Sequence, residues 1–217
     1  MNQQTPNALN LIEGLKSTPA RRYLSEKPIS DEILWNILDV AICGPSGGNT
    51  QGWAWIVVSE QSTKNKIAEW YREGWAHSYG VRREEILYRT DYSGTLGPRN
   101  FLSAEHLANH IQEAPIWIIP VLRNAATSNN PRAGSSIYGA IQNLMLAARA
   151  YGIGATLTTL YASHENDVKE LLGIPEDAMT MALIPLGYPD RGRWARPIRR
   201  AVEQVTYWDS WDNQRRR

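Results

Sequence analysis

The order of apolar and polar positions near residue 40 predicts a helix, then a loop, then a strand. Apolar side chains recur at helical spacing through residues 30–43, which open with Ser30 and two acidic residues, as helix starts often do. Gly44 and Pro45 end this helix. The next apolar stretch, "WAWIVVS" at 53–59, is short, β-branched and aromatic, which predicts a strand.

Similar patterns predict further helices and strands along the rest of the chain. The clearest helix is 135–154, with an apolar stripe that ends at Gly152. In the strand at 115–122, Pro120 suits a sheet edge or a bulge, because proline donates no backbone hydrogen bond. Interleaved strands and helices predict a mixed α/β architecture, one sheet covered on both faces, in a single domain over 1–217. The remaining predicted helices are 62–76, 103–114 and 163–173, and the remaining strands are 155–160 and 179–187.

Residues 78–102 show no clean apolar period and are rich in Arg, Tyr and Gly, which predicts irregular structure. Long irregular stretches in compact domains often act as lids or binding loops. We therefore hypothesise a lid over a ligand, with Tyr79, Tyr88, Tyr92 and Phe101 as its aromatic contacts.

Composition indicates that the partner is a small molecule. The chain has 217 residues, with 23 Lys and Arg against 22 Asp and Glu, so no global charge draws it to nucleic acid or to an anionic membrane. Cys43 is the only cysteine, which excludes an internal disulfide and is compatible with a reducing cytosol. No secretory signal pattern and no apolar run of roughly 20 residues is present. We expect a soluble, cytoplasmic protein, with the basic stretch 200–217 as a C-terminal extension.

The loop "CGPSGGNTQGW" at 43–53 has the spacing of a serine-nucleophile elbow around Ser46. That elbow follows a strand and precedes a helix, and here the predicted order is reversed, so a serine hydrolase is a remote interpretation. Adjacent glycines let a flat ligand lie on the backbone, and Ser46, Asn49 and Gln51 add compact donors and acceptors. The loop is therefore either a plain turn or a site for the edge of a planar heterocycle.

Other motifs give weaker signals. His106 and His110 share a helical face, but Leu107 stands where H-E-x-x-H has Glu, so we expect no metal site. "GIGATL" at 152–157 follows a helix and lacks the third glycine of a Rossmann fingerprint. Arginines cluster at 18–23 and 191–200, and guanidinium groups from both ends of the chain would suit one phosphate if they meet.

Five segments in order resemble the FMN-dependent nitroreductase family over residues 15–210. The resemblance implies an α+β fold with a central mixed sheet flanked by helices, in an intertwined homodimer packed through the helix near 136–151. The segments are "TPARRYLSEKPISDEIL", "CGPSGGNTQGW", "IQNLMLAARAYGIGATLTTLY", "LLGIPEDAMTMALIPLGYP" and "RPIRRAVEQVTYW". Pro19, Ala20 and Pro197 depart from the family's pattern near the phosphate.

The resemblance also implies FMN at the subunit interface, with some contacts supplied by the partner subunit. The positions it assigns to the cofactor are Arg21, Arg22 and Arg199 for the phosphate, Pro45, Ser46, Gly47, Asn49 and Gln51 for the flavin and ribityl chain, and Leu157, Thr158, Thr159 and Leu160 beside flavin N5.

The implied activity is reduction of nitroaromatics, quinones or related acceptors, with NADPH or NADH as the reductant, in a ping-pong scheme. The flavin would carry the chemistry, so no catalytic side chain is assigned. A flavin-binding sensor or storage protein is the alternative. The iodotyrosine deiodinase branch of the family is disfavoured, because it uses a lid lysine and this chain has none between Lys66 and Lys169.

Overall fold

A computed structural model describes residue 6 and residues 9–89, 97–128 and 130–215. None of the helices in those residues is long and apolar enough to cross a membrane. The α-helices are α1 (Leu11–Ser17), α2 (Asp31–Ala41), α3 (Gln61–Ser78), α4 (Arg83–Tyr88), α5 (Pro98–His110), α6 (Tyr138–Ala150) and α7 (Glu165–Leu172). The strands are β1 (Trp53–Val58), β2 (Ile116–Leu122), β3 (Gly154–Ala155), β4 (Met179–Thr180) and β5 (Ile184–Gly187).

Local capping explains where the best-predicted helices begin and end. The Ser30 hydroxyl accepts a hydrogen bond from the Ile33 amide at 3.4 Å and caps α2. Gly173 ends α7 in the left-handed conformation, with φ of 64°. The helix predicted to start at residue 103 starts instead at Pro98, which fits the first turn of a helix because its missing N–H has no partner there anyway.

The sheet is antiparallel throughout the described residues. Its order is β1-β2-β5-β3, with β4 also paired to β2, and each of these pairings is antiparallel. The expected mixed sheet is therefore wrong for the single chain, since a mixed sheet needs at least one parallel pair. The predicted strand at 155–160 is also shorter than expected, and beyond Ala155 only an isolated bridge between Thr158 and Leu183 continues the pairing.

Pro120 lies in the central strand of this sheet and not at an edge. Strand β2 pairs with β1 on one side and with β5 and β4 on the other. Pro120 falls between the residues of β2 that pair with β5 and those that pair with β4. Its carbonyl accepts a hydrogen bond from the Met181 amide at 2.8 Å, and its ring nitrogen has no hydrogen to donate. The predicted strand 179–187 is divided into β4 and β5, and the division lies opposite Pro120, where the proline donates no hydrogen bond.

Two cores cover the two faces of the sheet, as the alternation along its strands predicts. On one face Ile116, Ile118 and Leu122 pack with α2 and α6. On the other face Trp117 and Ile119 pack with buried residues of α3, α5 and α7. All seven residues of β2 are buried, so this strand is the centre of both layers.

The prediction of irregular structure for 78–102 is wrong for much of that stretch. Helix α4 and the start of α5 lie within it, because their apolar residues face the core. Phe101 is fully buried, with its ring centroid 5.2 Å from that of Trp75, so it is a core residue and not a lid contact. Tyr88 is exposed, and Tyr79 stacks on Trp75. Tyr92 lies outside the described residues.

We expect Gly44→Ala to destabilise the fold by about 1–3 kcal/mol, because overpacking forces helices apart. A methyl group at Gly44 would stand 2.6 Å from the backbone of Ala140, where α2 ends against α6. Urea unfolding measures the effect. The matched control is Gly80→Ala, whose methyl group would find its nearest neighbour at 3.8 Å. Equal stability of the two variants would contradict the close helix contact.

Candidate flavin site

The loop between α2 and β1 adopts a conformation that a plain turn does not need. Gly48, Asn49 and Gln51 have φ of 58°, 54° and 49°. Positive φ costs little at glycine but is sparsely populated for Asn and Gln, and such strain clusters at binding sites. Three of four consecutive residues are therefore left-handed, which a plain helix-to-strand turn does not require.

Hydrogen bonds hold this loop in place. The Ser46 hydroxyl accepts from the Gln51 amide at 3.0 Å, and the Gly47 amide donates to the Ser136 hydroxyl at 3.1 Å, just before α6. The side-chain amide of Gln51 donates to that of Asn49 at 3.3 Å. Within the described residues no histidine bonds to Ser46, so its hydroxyl braces the loop and is not arranged as a nucleophile.

The loop residues predicted to bind the cofactor are accessible. Pro45, Gly47, Asn49 and Gln51 are exposed, and Ser46 is half-buried. Their surfaces are therefore accessible to a ligand or to a second chain, although the amides of Gly47, Asn49 and Gln51 already donate to groups of this chain.

The second predicted group, Leu157 to Leu160, follows β3. Thr158 exchanges two backbone hydrogen bonds with Leu183, at 3.1 and 2.8 Å, so its amide nitrogen is already used. Leu157 and Thr159 are exposed, and Leu160 is half-buried. What Thr158 can offer a ligand is its side-chain hydroxyl, while Leu157, Thr159 and Leu160 offer backbone groups.

Helix α3 packs against this second group of residues, at Leu160 and Thr158. A methyl group added at Gly74 would overlap the carbonyl oxygen of Leu160, so only glycine allows the contact. The Tyr71 hydroxyl lies 3.0 Å from the Thr158 hydroxyl. Neither contact was predicted from the sequence. The signal available was the helical spacing of Tyr71, Gly74 and Trp75 on one face, which indicates burial but not its partner.

His164, just after the segment 157–160, forms hydrogen bonds that link this part of the chain to α3. His164 places one ring nitrogen 2.9 Å from the Asp167 carboxylate and the other 2.9 Å from Glu73 of α3, and it stacks on Trp70. The Asp167 hydrogen bond, with that of Glu73, raises the His164 pKa. A ring that faces two carboxylates through both nitrogens is best satisfied when it is protonated.

Arg21 and Arg22, predicted to share one phosphate, diverge. Arg21 is buried and donates to the carbonyls of residues 191, 192 and 193, and burial lowers its pKa. Arg22 is half-buried on the side of Tyr71, and burial lowers its pKa too, while the Tyr71 phenol acts in the opposite sense. Adjacent side chains of extended backbone point to opposite sides, which explains the divergence.

Arg199 lies in the exposed C-terminal stretch. Its guanidinium donates to the carbonyl of Ile198 at 2.9 Å. In the described part of the chain no hydrogen bond joins Arg199 to Arg21 or Arg22, and none joins the loop at 45–51 to residues 157–160. Within one chain the hydrogen bond that joins a predicted cofactor residue to α3 is the one between Thr158 and Tyr71, and the charge of Arg22 acts on the same Tyr71 phenol.

The two histidines considered as metal ligands belong to an aromatic stack. The His106 ring lies between those of Tyr23 and His110, with centroids 4.1 and 4.4 Å away. Burial, and then the neighbouring His110, lower the pKa of His106. Across the described ranges no cluster of three or more His, Cys, Asp or Glu side chains is arranged to hold a metal ion.

The chain belongs to the nitroreductase family, whose sequence profile matches residues 16–188. It is 28% identical over 196 residues to the NADH dehydrogenase of Thermus thermophilus, covering 89% of this chain and 93% of that protein. It is 26% identical over 190 residues to rat (Rattus norvegicus) iodotyrosine deiodinase 1, covering 85% of this chain and 64% of the rat protein. Its fold matches the FMN and NADPH-dependent nitroreductase NfnB from sphigopyxis sp. strain HMH, with a TM-score of 0.69 at 18% identity and coverage of 94% and 100%.

We expect His164→Gln to reduce stability more in acid than in base. Because the folded pKa is raised, the stabilisation is fully present below the unfolded pKa of about 6.5 and is lost as the pH rises through the folded pKa. Urea unfolding at about pH 5.5 and pH 8.5 checks this. The exposed His77 of α3, the helix that carries Glu73, supplies the control, His77→Gln. A deficit that does not change with pH would show that His164 only fills space.

Proposed function

We propose that this protein is an FMN-dependent oxidoreductase that uses NADPH or NADH to reduce nitroaromatics, quinones or related small acceptors. Membership of the nitroreductase family supports the class of reaction. The observation that carries the proposal for this chain is the loop at 45–51, whose left-handed residues and exposed polar groups suit a flat ligand that lies on the backbone.

The residues present fit FMN in their chemistry. The exposed side-chain amides of Asn49 and Gln51 suit the edge of the isoalloxazine ring, and the segment 157–160 has further polar groups for a second edge. Arg22 and Arg199 supply positive charge for the phosphate, since Arg21 is already bonded to carbonyl groups. When bound, FMN supplies two-electron transfer between the reductant and the acceptor, in a ping-pong sequence. The protein's part is to bind, orient and shield the ring.

The site is proposed to form between two copies of the chain in a homodimer. Within the described residues no hydrogen bond joins the loop to the segment 157–160, although both are assigned to the same cofactor. The C-terminal stretch exposes large apolar side chains, among them Ile198 at 96% and Trp211 at 78%. Exposed apolar surface on this scale is typical of an interface, and a second copy of the chain would cover it.

Reductive deiodination is the second candidate. The similarity to rat iodotyrosine deiodinase 1 favours it. The absence of lysine between Lys66 and Lys169 stands against it, because the family's deiodinase branch uses a lysine in the lid. Turnover of 3-iodotyrosine is therefore measured beside nitroaromatics and quinones.

We expect the purified protein to show flavin absorption that bleaches on anaerobic addition of NADPH or NADH and recovers with a nitroaromatic or quinone. The nucleotide that bleaches the flavin bands more readily is the preferred reductant. A protein that binds FMN yet is not bleached by either nucleotide would indicate the sensor or storage alternative. A colourless protein that FMN does not reconstitute would overturn the proposal.

We expect a solution mass of twice the 24.5 kDa of one chain. Charge placed in the apolar interface, as Ile198→Glu with Trp211→Glu, should favour the monomer and weaken FMN binding by roughly tenfold or more, since a tenfold change needs only about 1.4 kcal/mol. Light scattering and FMN titration measure both effects. Gln204→Glu with Gln214→Glu, which adds the same two negative charges at exposed polar positions of the same stretch, is the control. A monomeric wild type that binds FMN tightly would exclude the shared site.

A further inference from the structure

Tyr71 is a buried residue whose polar end meets the candidate site. Only 2% of its surface is exposed, and Ile67, Ala68 and Trp75 lie on the same buried face of α3. Its hydroxyl is 3.0 Å from the hydroxyl of Thr158, which is 87 positions away in the chain. A buried tyrosine hydroxyl needs a hydrogen-bond partner, and here the partner belongs to the segment assigned to the flavin.

Either hydroxyl of the Tyr71–Thr158 pair could donate to the other. A guanidinium carries donors only, so a neighbouring oxygen turns its lone pairs toward it. The charge of Arg22 acts on the Tyr71 phenol in the sense that lowers its pKa, while burial acts in the opposite sense and more strongly. Of the two arrangements, the one in which Tyr71 donates to Thr158 leaves the phenol lone pairs for the positive charge of Arg22.

Burial keeps this donor protonated. It raises the pKa of Tyr71, and the opposing effects of the Thr158 hydrogen bond and the Arg22 charge are smaller. Tyr71 is therefore a neutral donor throughout the working pH range. Arg22 remains charged despite the lowering of its pKa by burial, because guanidinium groups keep their proton in proteins.

We propose that Tyr71 is a positioning residue: its hydroxyl donates to Thr158 Oγ1, which leaves the Thr158 hydroxyl hydrogen to donate to the bound ring. The proposal rests on the proposed function for the identity of the ligand. It gives Thr158 a definite role, because its amide is already bonded to Leu183 and its hydroxyl is its remaining donor.

Phenylalanine at position 71 keeps the volume and removes the donor. Thr158 is then free to turn its hydrogen away from the ligand. We expect Tyr71→Phe to weaken FMN binding three- to tenfold and to shift the midpoint potential of the bound flavin. Tyr161→Phe is the matched control, because Tyr161 is equally buried, with 1% exposed, and its hydroxyl bonds to Thr180 instead. This control should lose stability and retain FMN binding.

The test is a double-mutant cycle on FMN affinity, measured by fluorescence titration of the apoprotein with FMN. Tyr71→Phe, Thr158→Val and the double variant are compared with wild type. We call the proposed chain of hydrogen bonds from Tyr71 through Thr158 to the ring the relay. The relay predicts that Tyr71→Phe causes no further loss of FMN affinity in a protein that already carries Thr158→Val. Thr158→Ser, which keeps the hydroxyl, should restore most of the affinity that Thr158→Val loses.

Each result separates the relay from the proposed function. Wild type that binds FMN, with Tyr71→Phe indistinguishable from Tyr161→Phe or with additive losses in the cycle, overturns the relay alone. Wild type that does not bind FMN overturns both. If Tyr71→Phe does not fold, Thr158→Val decides, because unchanged FMN binding in that variant would falsify the role of its hydroxyl.

Discussion

Burial of β2 on both faces is the constraint on which the candidate site depends. Its side chains alternate between a layer built with α2 and α6 and a layer built with α3, α5 and α7. A strand covered on both sides cannot slip by one residue without exchanging its two apolar sets, so its register is fixed. The strand therefore determines where β1 begins, and with it the position of the loop at 45–51. It also determines where α3 lies, and with it the support behind residues 157–160.

The parts of the fold that the sequence predicted are those with a strong local period. Residues 30–43 form α2 with the expected cap, and the apolar runs at 53–59 and 115–122 form neighbouring strands. The order of helix, loop and strand correctly argued against a nucleophile at Ser46. The antiparallel direction of every described pairing was not predicted, because period alone carries no information on how strands pair. The same limit applies to α4, since six residues are too short to display a helical period.

The sequence predicted which residues belong to the candidate site, but not how they are arranged. Their conformations and contacts are known only from the fold. The glycines and amides of 45–51 suggested a flat ligand, but positive φ at Asn49 and Gln51 is imposed by the loop's ends, at α2 and β1, and by its bond to Ser136. The contact of Tyr71 with Thr158 joins segments 87 positions apart. No local pattern contains such a pair, and only the packing of α3 against the sheet brings it about.

The two adjacent arginines show how backbone direction divides the electrostatics of the site. The Arg21 guanidinium donates to backbone carbonyl groups of residues 191–193 and lies over the Trp194 ring. These contacts hold residues 191–194 against Arg21, whose own amide bonds to Ala155 of β3. Arg22 is partly desolvated, and among the described residues no carboxylate forms an ion pair with it. A desolvated cation without a counter-ion opposes folding. An anionic or electron-rich ligand at Arg22 would offset this cost, so binding at the proposed site would also stabilise the fold.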